Sequence, residues 1–286
     1  MGFENHLQEE PMNYRQIIYE KNDEIRIIRF NRPEVMNCIG PVGHIELVDA
    51  WSRFRADEGA KVAIVTGSGE KAFCAGGDLK DPPVSEDPAE VEAHNRGEKP
   101  GFLGPTRWTD IYKPIIAAIN GLAYAGGLEW ACFADIRIAE AHATFGVTCR
   151  RWNVGLGDGG TQRLPRIIGM GRALELIITG RVIDAKEAER IGLVNKVVPT
   201  GESLKAAMEM ARFLCTLPQP AMHTDKEAAV RGFGLPLDEG LRIEAQCFNR
   251  SIFAPETTEG LRRFVERDHP DLRKGQSSQT SKLIRD

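Results

Sequence analysis

Short apolar runs alternate with amphipathic stretches over the first two-thirds of the chain. The run EIRIIRF (24–30) predicts a strand, closed by NRPE, where Pro33 cannot continue a ladder. In IGPVGHIELVDAWSRFRAD (39–57), Ile45, Leu47, Val48, Trp51 and Phe54 fall at helical spacing. KVAIVTGSG (61–69) reads as a buried parallel strand that runs into a glycine loop. KPIIAAINGLAYAGG repeats that pattern, with a strand at 114–119, a turn signal at Asn120-Gly121 and an apolar helix in GLEWACFAD. DIRIAE reads as a third parallel strand, and the alternation as a whole predicts an α/β fold.

Near VVPTGE (197–202) the pattern changes to successive helices separated by Pro or Gly. This divides the chain into a core at 14–200 and a helical region at 201–270, with loose tails at 1–13 and 271–286. The charged, proline-rich segment DPPVSEDPAEVEAHNRGEKPG (81–101) reads as a mobile surface loop or lid.

Composition narrows the function classes. In 286 residues, 42% are apolar, enough for a sizeable core, and the net charge of -4 is mixed along the chain. That balance offers no electrostatic case for nucleic acid, and no apolar run approaches the ~20 residues of a membrane span. The polar N-terminus carries no targeting pattern, so a cytoplasmic location is expected. Six scattered cysteines without a C-x-x-C pair argue for reduced thiols, with neither disulfides nor a zinc site. His44, His94, His142 and His223 are too dispersed to assign to a site.

The glycines change the picture most. KAFCAGGDLKD (71–81) and AYAGGLEW (123–130) each follow a strand, and each could turn a backbone N–H outward toward a developing oxyanion. Either alone could equally be a tight strand-to-helix turn. Glu129, between Leu128 and Trp130 in the first turn of an apolar helix, is expected to be partly buried, with a raised pKa suited to proton transfer. An acid there could also only complement the helix dipole.

AFCAGGDLK, KPIIAAINGLAYAGGLEWACFADIRIA and GGTQRLPRIIG followed by ALELIITGRVIDAKEAERIGLVNKVVP together resemble the enoyl-CoA hydratase/isomerase (crotonase) family. The resemblance runs from about residue 15 to 268 and includes FAPETTEGLRRFVERD. It implies a crotonase (ClpP-like) spiral of β-β-α units with a C-terminal helical trimerisation region, and a homotrimer or a hexamer made of two trimers. It implies an acyl-CoA thioester substrate, with coenzyme A as part of that substrate and no separate cofactor or metal. By the same resemblance, Gly77 and Gly126 supply the oxyanion-hole N–H donors and Glu129 is a catalytic acid/base. Ala75, Gly76, Asp78 and Leu79 match the segment around the pantetheine arm. Lys80 matches a lysine near the CoA phosphates, although a solvated surface lysine is the alternative, and Val35 and Met36 match the segment beside the adenine.

One departure stands out in TCRRWNVGLGDGG (148–160). The second glutamate of two-glutamate hydratases falls on Cys149, which reads as an inert small hydrophobe or, alternatively, a thiol nucleophile. Asp158 is the natural substitute carboxylate, because isomerase and dienoyl-CoA branches of the family use an aspartate in this turn. A gapless count puts that aspartate on Gly157, one residue away, and Asp158 is also a favoured helix N-cap type. Arg150, Arg151 and Trp152 read as surface or subunit-contact residues, with carboxylate binding as an alternative for Arg150. The expected activity is reversible hydration of a 2-enoyl-CoA. Double-bond isomerisation, other acyl-CoA chemistry and a non-catalytic acyl-CoA-binding or scaffold subunit are the alternatives.

Overall fold

The computed structural model describes residues 13–266. The expected tails therefore lie outside the described residues, apart from Asn13. Strand β1 (Ile17–Asn22) pairs antiparallel with β2 (Ile25–Phe30), a hairpin edge that precedes the predicted strand. Helix α1 (Pro41–Ala56) follows, and then β3 (Val62–Gly67), fully buried and parallel to β2. β4 (Ala72–Cys74) leaves this layer for a second sheet.

The same alternation recurs twice. β5 (Ile115–Ile119) joins the large sheet, β6 (Leu122–Tyr124) the small one, and helix α3 (Gly126–Phe133) comes next, after α2 (Pro88–Asn95) earlier in the chain. β7 (Ile136–Glu140) and β8 (Thr144–Gly146) repeat the step before α4 (Gly160–Ile168) and α5 (Met170–Thr179). β9 (Val182–Asp184), α6 (Ala185–Arg190) and β10 (Lys196–Val198) complete the two sheets. Among the described residues the large sheet runs β1-β2-β3-β5-β7-β10 and the small one β4-β6-β8-β9, with β8 and β9 antiparallel. This is the β-β-α spiral of the crotonase fold.

The core lies between the sheets and the helices. Trp130 of α3 is fully buried, with its ring centroid 5.3 Å from Phe30, 5.7 Å from Trp51 and 5.4 Å from Phe133. Removing such a ring from water stabilises the fold by about 1.5–3 kcal/mol, so α3 is held rigidly where the chemistry begins. The outer face of the large sheet is covered by α7 (Ser203–Cys215), whose Ala207, Met208 and Ala211 pack with Ile64, Ile116 and Ile138. The change of pattern near residue 200 thus marks the onset of helices, while α7 still shares a hydrophobic cluster with the strands before it. α8 (Gln219–Gly232), α9 (Leu237–Ile252) and α10 (Pro255–Val265) follow.

The segment at 81–101 is not wholly irregular. Asp87 caps α2 by accepting the Ala89 N–H at 2.9 Å, and Pro88 stands at its first position, two start signals that the segment's high polarity hid.

Candidate active site

Two glycine loops meet at the N-terminus of α3. Gly76, with φ +97°, lies so close to the second loop that a Cβ there would stand 2.7 Å from the Gly126 nitrogen. The flanking Gly76 carbonyl and Asp78 N–H both bond Ile39, at 2.9 Å each, which turns the Gly77 N–H to the opposite side. Gly126 opens α3 behind Ala125, a non-glycine residue at φ 51° and ψ −119°. Holding that conformation costs about 1–3 kcal/mol and aims the first N–H groups of the helix outward. Among the described residues neither the Gly77 nor the Gly126 N–H has a protein acceptor, and both residues line one cavity of about 420 Å³.

Ala75, Asp78 and Leu79 line the same cavity, with Pro82, Pro83 and Trp152 also on its wall. Gly76 contributes through the close approach of the two loops. Lys80 is exposed, and its N–H donates to Asp78 Oδ1 at 3.1 Å. Val35 ends a 3₁₀ turn beside Met36, whose carbonyl accepts the Ala75 N–H at 3.0 Å. The sequence-predicted residues before 81 therefore lie on two segments joined through the Ala75–Met36 bond, with Gly76, Lys80, Val35 and Met36 outside the cavity wall.

Glu129, Cys149 and Asp158 line the cavity beyond the two glycines. Glu129 is only 3% exposed, and its Oε1 accepts the N–H groups of Asp158 at 2.8 Å and Gly160 at 2.7 Å. The carboxyl of α3 thus supplies the acceptor at the N-terminus of α4. Burial raises the Glu129 pKa from 4.5 to about 7, with the charge of Asp158 adding to the rise and the N–H donors opposing it. Gly160 is required by this contact, since a Cβ there would stand 2.8 Å from Glu129 Cγ.

Asp158 does not cap α4. Gly159, at φ 97°, occupies the cap position, and the Asp158 side chain turns the other way. Its Oδ1 accepts the Leu103 N–H at 3.0 Å and the Thr106 hydroxyl at 2.5 Å. The Leu103 carbonyl in turn accepts the Trp130 indole N–H at 3.0 Å, so Leu103 is clamped between α3 and the Asp158 turn. Its side chain lies over both glycines, within 3.4 Å of where a Gly77 Cβ would sit and 2.0 Å of where a Gly126 Cβ would sit. Burial also raises the Asp158 pKa, against the pull of its Thr106 and Leu103 donors.

Cys149 sits in a 3₁₀ turn (Thr148–Trp152), and burial with the nearby Glu129 charge pushes its thiol pKa up. A raised pKa opposes the nucleophile alternative, because the thiolate is the reactive form. Arg150 donates to the Ile177 carbonyl at 3.3 Å, Arg151 and Trp152 are exposed, and only Trp152 of the three faces the cavity. Two histidines that no local sequence pattern assigns come to this region. His44 Nδ1 accepts the Gly104 N–H at 3.0 Å, and the His94 ring stacks on Phe102 at 4.0 Å. The first contact spans 60 residues and the second starts from α2, so neither leaves a short-range signature. Among the described residues no group of three or more His, Cys, Asp or Glu could hold a metal.

The profile of the enoyl-CoA hydratase/isomerase family matches residues 20–275. The chain is 37% identical over 259 residues to crotonyl-CoA hydratase of Syntrophomonas wolfei, covering 90% of this chain and 97% of that one. It is 36% identical over 258 residues to (E)-benzylidenesuccinyl-CoA hydratase of Thauera aromatica, covering 90% and 98%. The crystal structure of enoyl-CoA hydratase from Bacillus anthracis superposes with a TM-score of 0.79 at 35% identity, covering 88% of this chain and 97% of that one. A fold, a glycine-lined cavity and a full-length likeness agree: the chain belongs to the enoyl-CoA hydratase/isomerase family and is an enzyme of the hydratase/isomerase type.

Proposed function

We propose that the protein adds water reversibly across the double bond of a 2-enoyl-CoA, with Glu129 as the sole proton-transferring carboxylate. The observation that carries this reading is a buried carboxyl with a pKa of about 7 in the same cavity as two backbone N–H donors that have no acceptor among the described residues. The thioester carbonyl accepts from Gly77 and Gly126, donors better matched to the charge of an enolate than to the neutral ground state. Ionised Glu129 holds a water through its second oxygen, Oε2, and takes one proton as the hydroxyl adds to Cβ. It then returns that proton to Cα as the enolate collapses. One water is consumed, and the carboxylate is regenerated.

In this account Cys149 is a small apolar wall where two-glutamate hydratases carry their second acid. Asp158 is a positioning residue, because its bonds to Leu103 and Thr106 fix the loop over the glycines. Ala75, Gly76, Asp78 and Leu79 flank the pantetheine arm. Lys80, on that loop, and Val35 and Met36, on the 3₁₀ turn bonded to it through Ala75, lie outside the cavity and face the CoA nucleotide. No cofactor beyond the substrate's coenzyme A enters the scheme. Exposed Leu237, Phe248 and Phe264 on the C-terminal helices, and Phe253 in the turn between α9 and α10, support assembly into trimers or hexamers. The free cysteines support a reducing, cytoplasmic setting. Among the described residues no helix is long and apolar enough to cross a membrane.

Double-bond isomerisation is a second reading, favoured by Cys149, because one carboxylate suffices to move a proton between two carbons. Loss of the enoyl-thioester absorbance with 2-enoyl-CoA supports the hydratase. Its appearance with 3-enoyl-CoA, without loss from the 2-enoyl compound, supports the isomerase.

A further inference from the structure

A second cavity, of about 930 Å³, opens on the far side of the Asp158 turn. Phe102, Leu156 and Gly157 line both it and the catalytic cavity, so the two meet at those residues. The second wall carries four arginines, Arg107, Arg137, Arg163 and Arg166. Buried Arg137 is spent on the Leu193 and Ala134 carbonyls. Among the described residues the other three form no ion pair with a carboxylate; Arg163 lies near enough to Glu129 and Asp158 to feel their charges, and Arg107 and Arg166 are exposed. Arg163 donates to the Asp158 and Trp108 carbonyls, Arg166 to the Gln162 carbonyl and side-chain oxygen, and Arg107 touches the His94 ring nitrogen. The lining acid Asp135 is already neutralised by Lys226 at 2.6 Å.

Guanidinia gathered around a cavity whose one lining acid is taken up by Lys226 leave an excess of positive charge, and a planar anion is the partner their forked donors fit best. The junction adjoins Glu129, whose Oε1 accepts the N–H of Asp158, the residue after Gly157. On the binding mode proposed above, that side takes the acyl group, with coenzyme A along the loop before residue 81. We propose that this cavity receives a carboxylate carried on the acyl group of the substrate, so that the protein prefers 2-enoyl-CoA thioesters with a second, terminal acid. This rests on the thioester reading above and adds its substrate class.

The test is calorimetric binding of paired saturated thioesters, which needs no turnover: succinyl- against butyryl-, glutaryl- against valeryl-, and adipyl- against hexanoyl-CoA. The expected result is at least tenfold tighter binding of the diacid member at one chain length or more. Arg107→Gln with Arg166→Gln should abolish that preference and leave the methyl-ended thioester unchanged, which also reports that the fold is intact. Should the double variant not fold, the single Arg107→Gln is expected to reduce the preference at least threefold. Equal affinity within every pair, or a preference untouched by the substitutions, overturns the proposal. So does equal affinity joined to a lower oligomeric mass in the variant, which would assign the arginines to contacts between copies. Failure of every acyl-CoA to bind would instead overturn the thioester reading itself.

Discussion

Replacing Glu129 by Gln should make the protein more stable at alkaline pH while removing its activity. The carboxyl is held at a pKa of about 7 against 4.5 for the free group. Below about 4.5 both folded and unfolded states are protonated there, and the group contributes no pH dependence. Between 4.5 and 7 the unfolded chain ionises while the folded site keeps its proton, so stability falls as pH rises. Above about 7 the full penalty is present, about 3 kcal/mol at about 1.4 kcal/mol for each tenfold change in proton affinity. Glutamine keeps the shape, and its carbonyl can accept the Asp158 and Gly160 N–H groups. The charge assistance of those bonds is already contained in the net shift, since the donors oppose the rise. The variant should therefore be about 3 kcal/mol more stable than the parent at pH 8, a rise of about 8 °C in melting temperature. At pH 5 the gain should fall below about 1 kcal/mol. Thermal melts of both proteins at equal concentration from pH 5 to 8 provide the assay. A stability difference that is constant across that range would refute the assignment of the titrating group.

Other perturbations separate chemistry from packing. Gly126→Ala places a Cβ 2.0 Å from the Leu103 Cδ1 methyl, at the free end of that side chain, and 3.2 Å from Gly76 Cα; the protein should fold with its two donors pushed out of aim and lose up to about 10²–10³ in kcat, the cost of a lost donor. Gly127→Ala drives a Cβ to 1.9 Å from the Cys74 carbonyl oxygen, and should cost about 3 kcal/mol or more in denaturant unfolding. Asp158→Asn keeps an acceptor for Leu103 and Thr106 and should retain kcat/KM within about tenfold, whereas Asp158→Ala should be destabilised by about 3 kcal/mol. A loss in Asp158→Asn equal to that of Glu129→Gln would make Asp158 a proton-transfer group instead. Cys149→Ala should leave kcat/KM within a few-fold of the parent in the same assay, since the protonated thiol has no nucleophilic part to lose.

The fold is legible in the sequence where strands are long and fully apolar. VAIVTG and IIAAI have the continuous apolar character of buried parallel strands, and the later helices are punctuated by Pro and Gly. The small sheet is not legible from periodicity, because strands of three residues such as Ala72–Cys74 carry no measurable alternation. β1 escapes because its Ile-Ile-Tyr-Glu-Lys-Asn pattern is half exposed at a sheet edge.

At the site, Glu129 is readable because a carboxyl flanked by Leu128 and Trp130 in an apolar first turn is costly to bury, and that cost is what raises its pKa. Asp158 is only half readable. Its type suits an N-cap, yet the cap is taken by Gly159 at φ 97°, a conformation that L side chains rarely adopt. The freed carboxylate then serves a loop 55 residues earlier in the chain. The arginine cavity leaves no trace in the sequence, since its residues come from separate stretches joined only by folding.

The proposed function makes one carboxylate, Glu129, responsible for the proton transfers of hydration, with Cys149 at the second glutamate's place and Asp158 only positioning the loop. It is tested most directly by following the enoyl-thioester absorbance of a 2-enoyl-CoA with the parent protein and Glu129→Gln across pH 5 to 9. The parent kcat/KM should rise with pH through an apparent pKa near 7. The folded variant should lack that rise and be slower by about 10²–10⁴ above pH 7. Parent-like hydration by Glu129→Gln would contradict it.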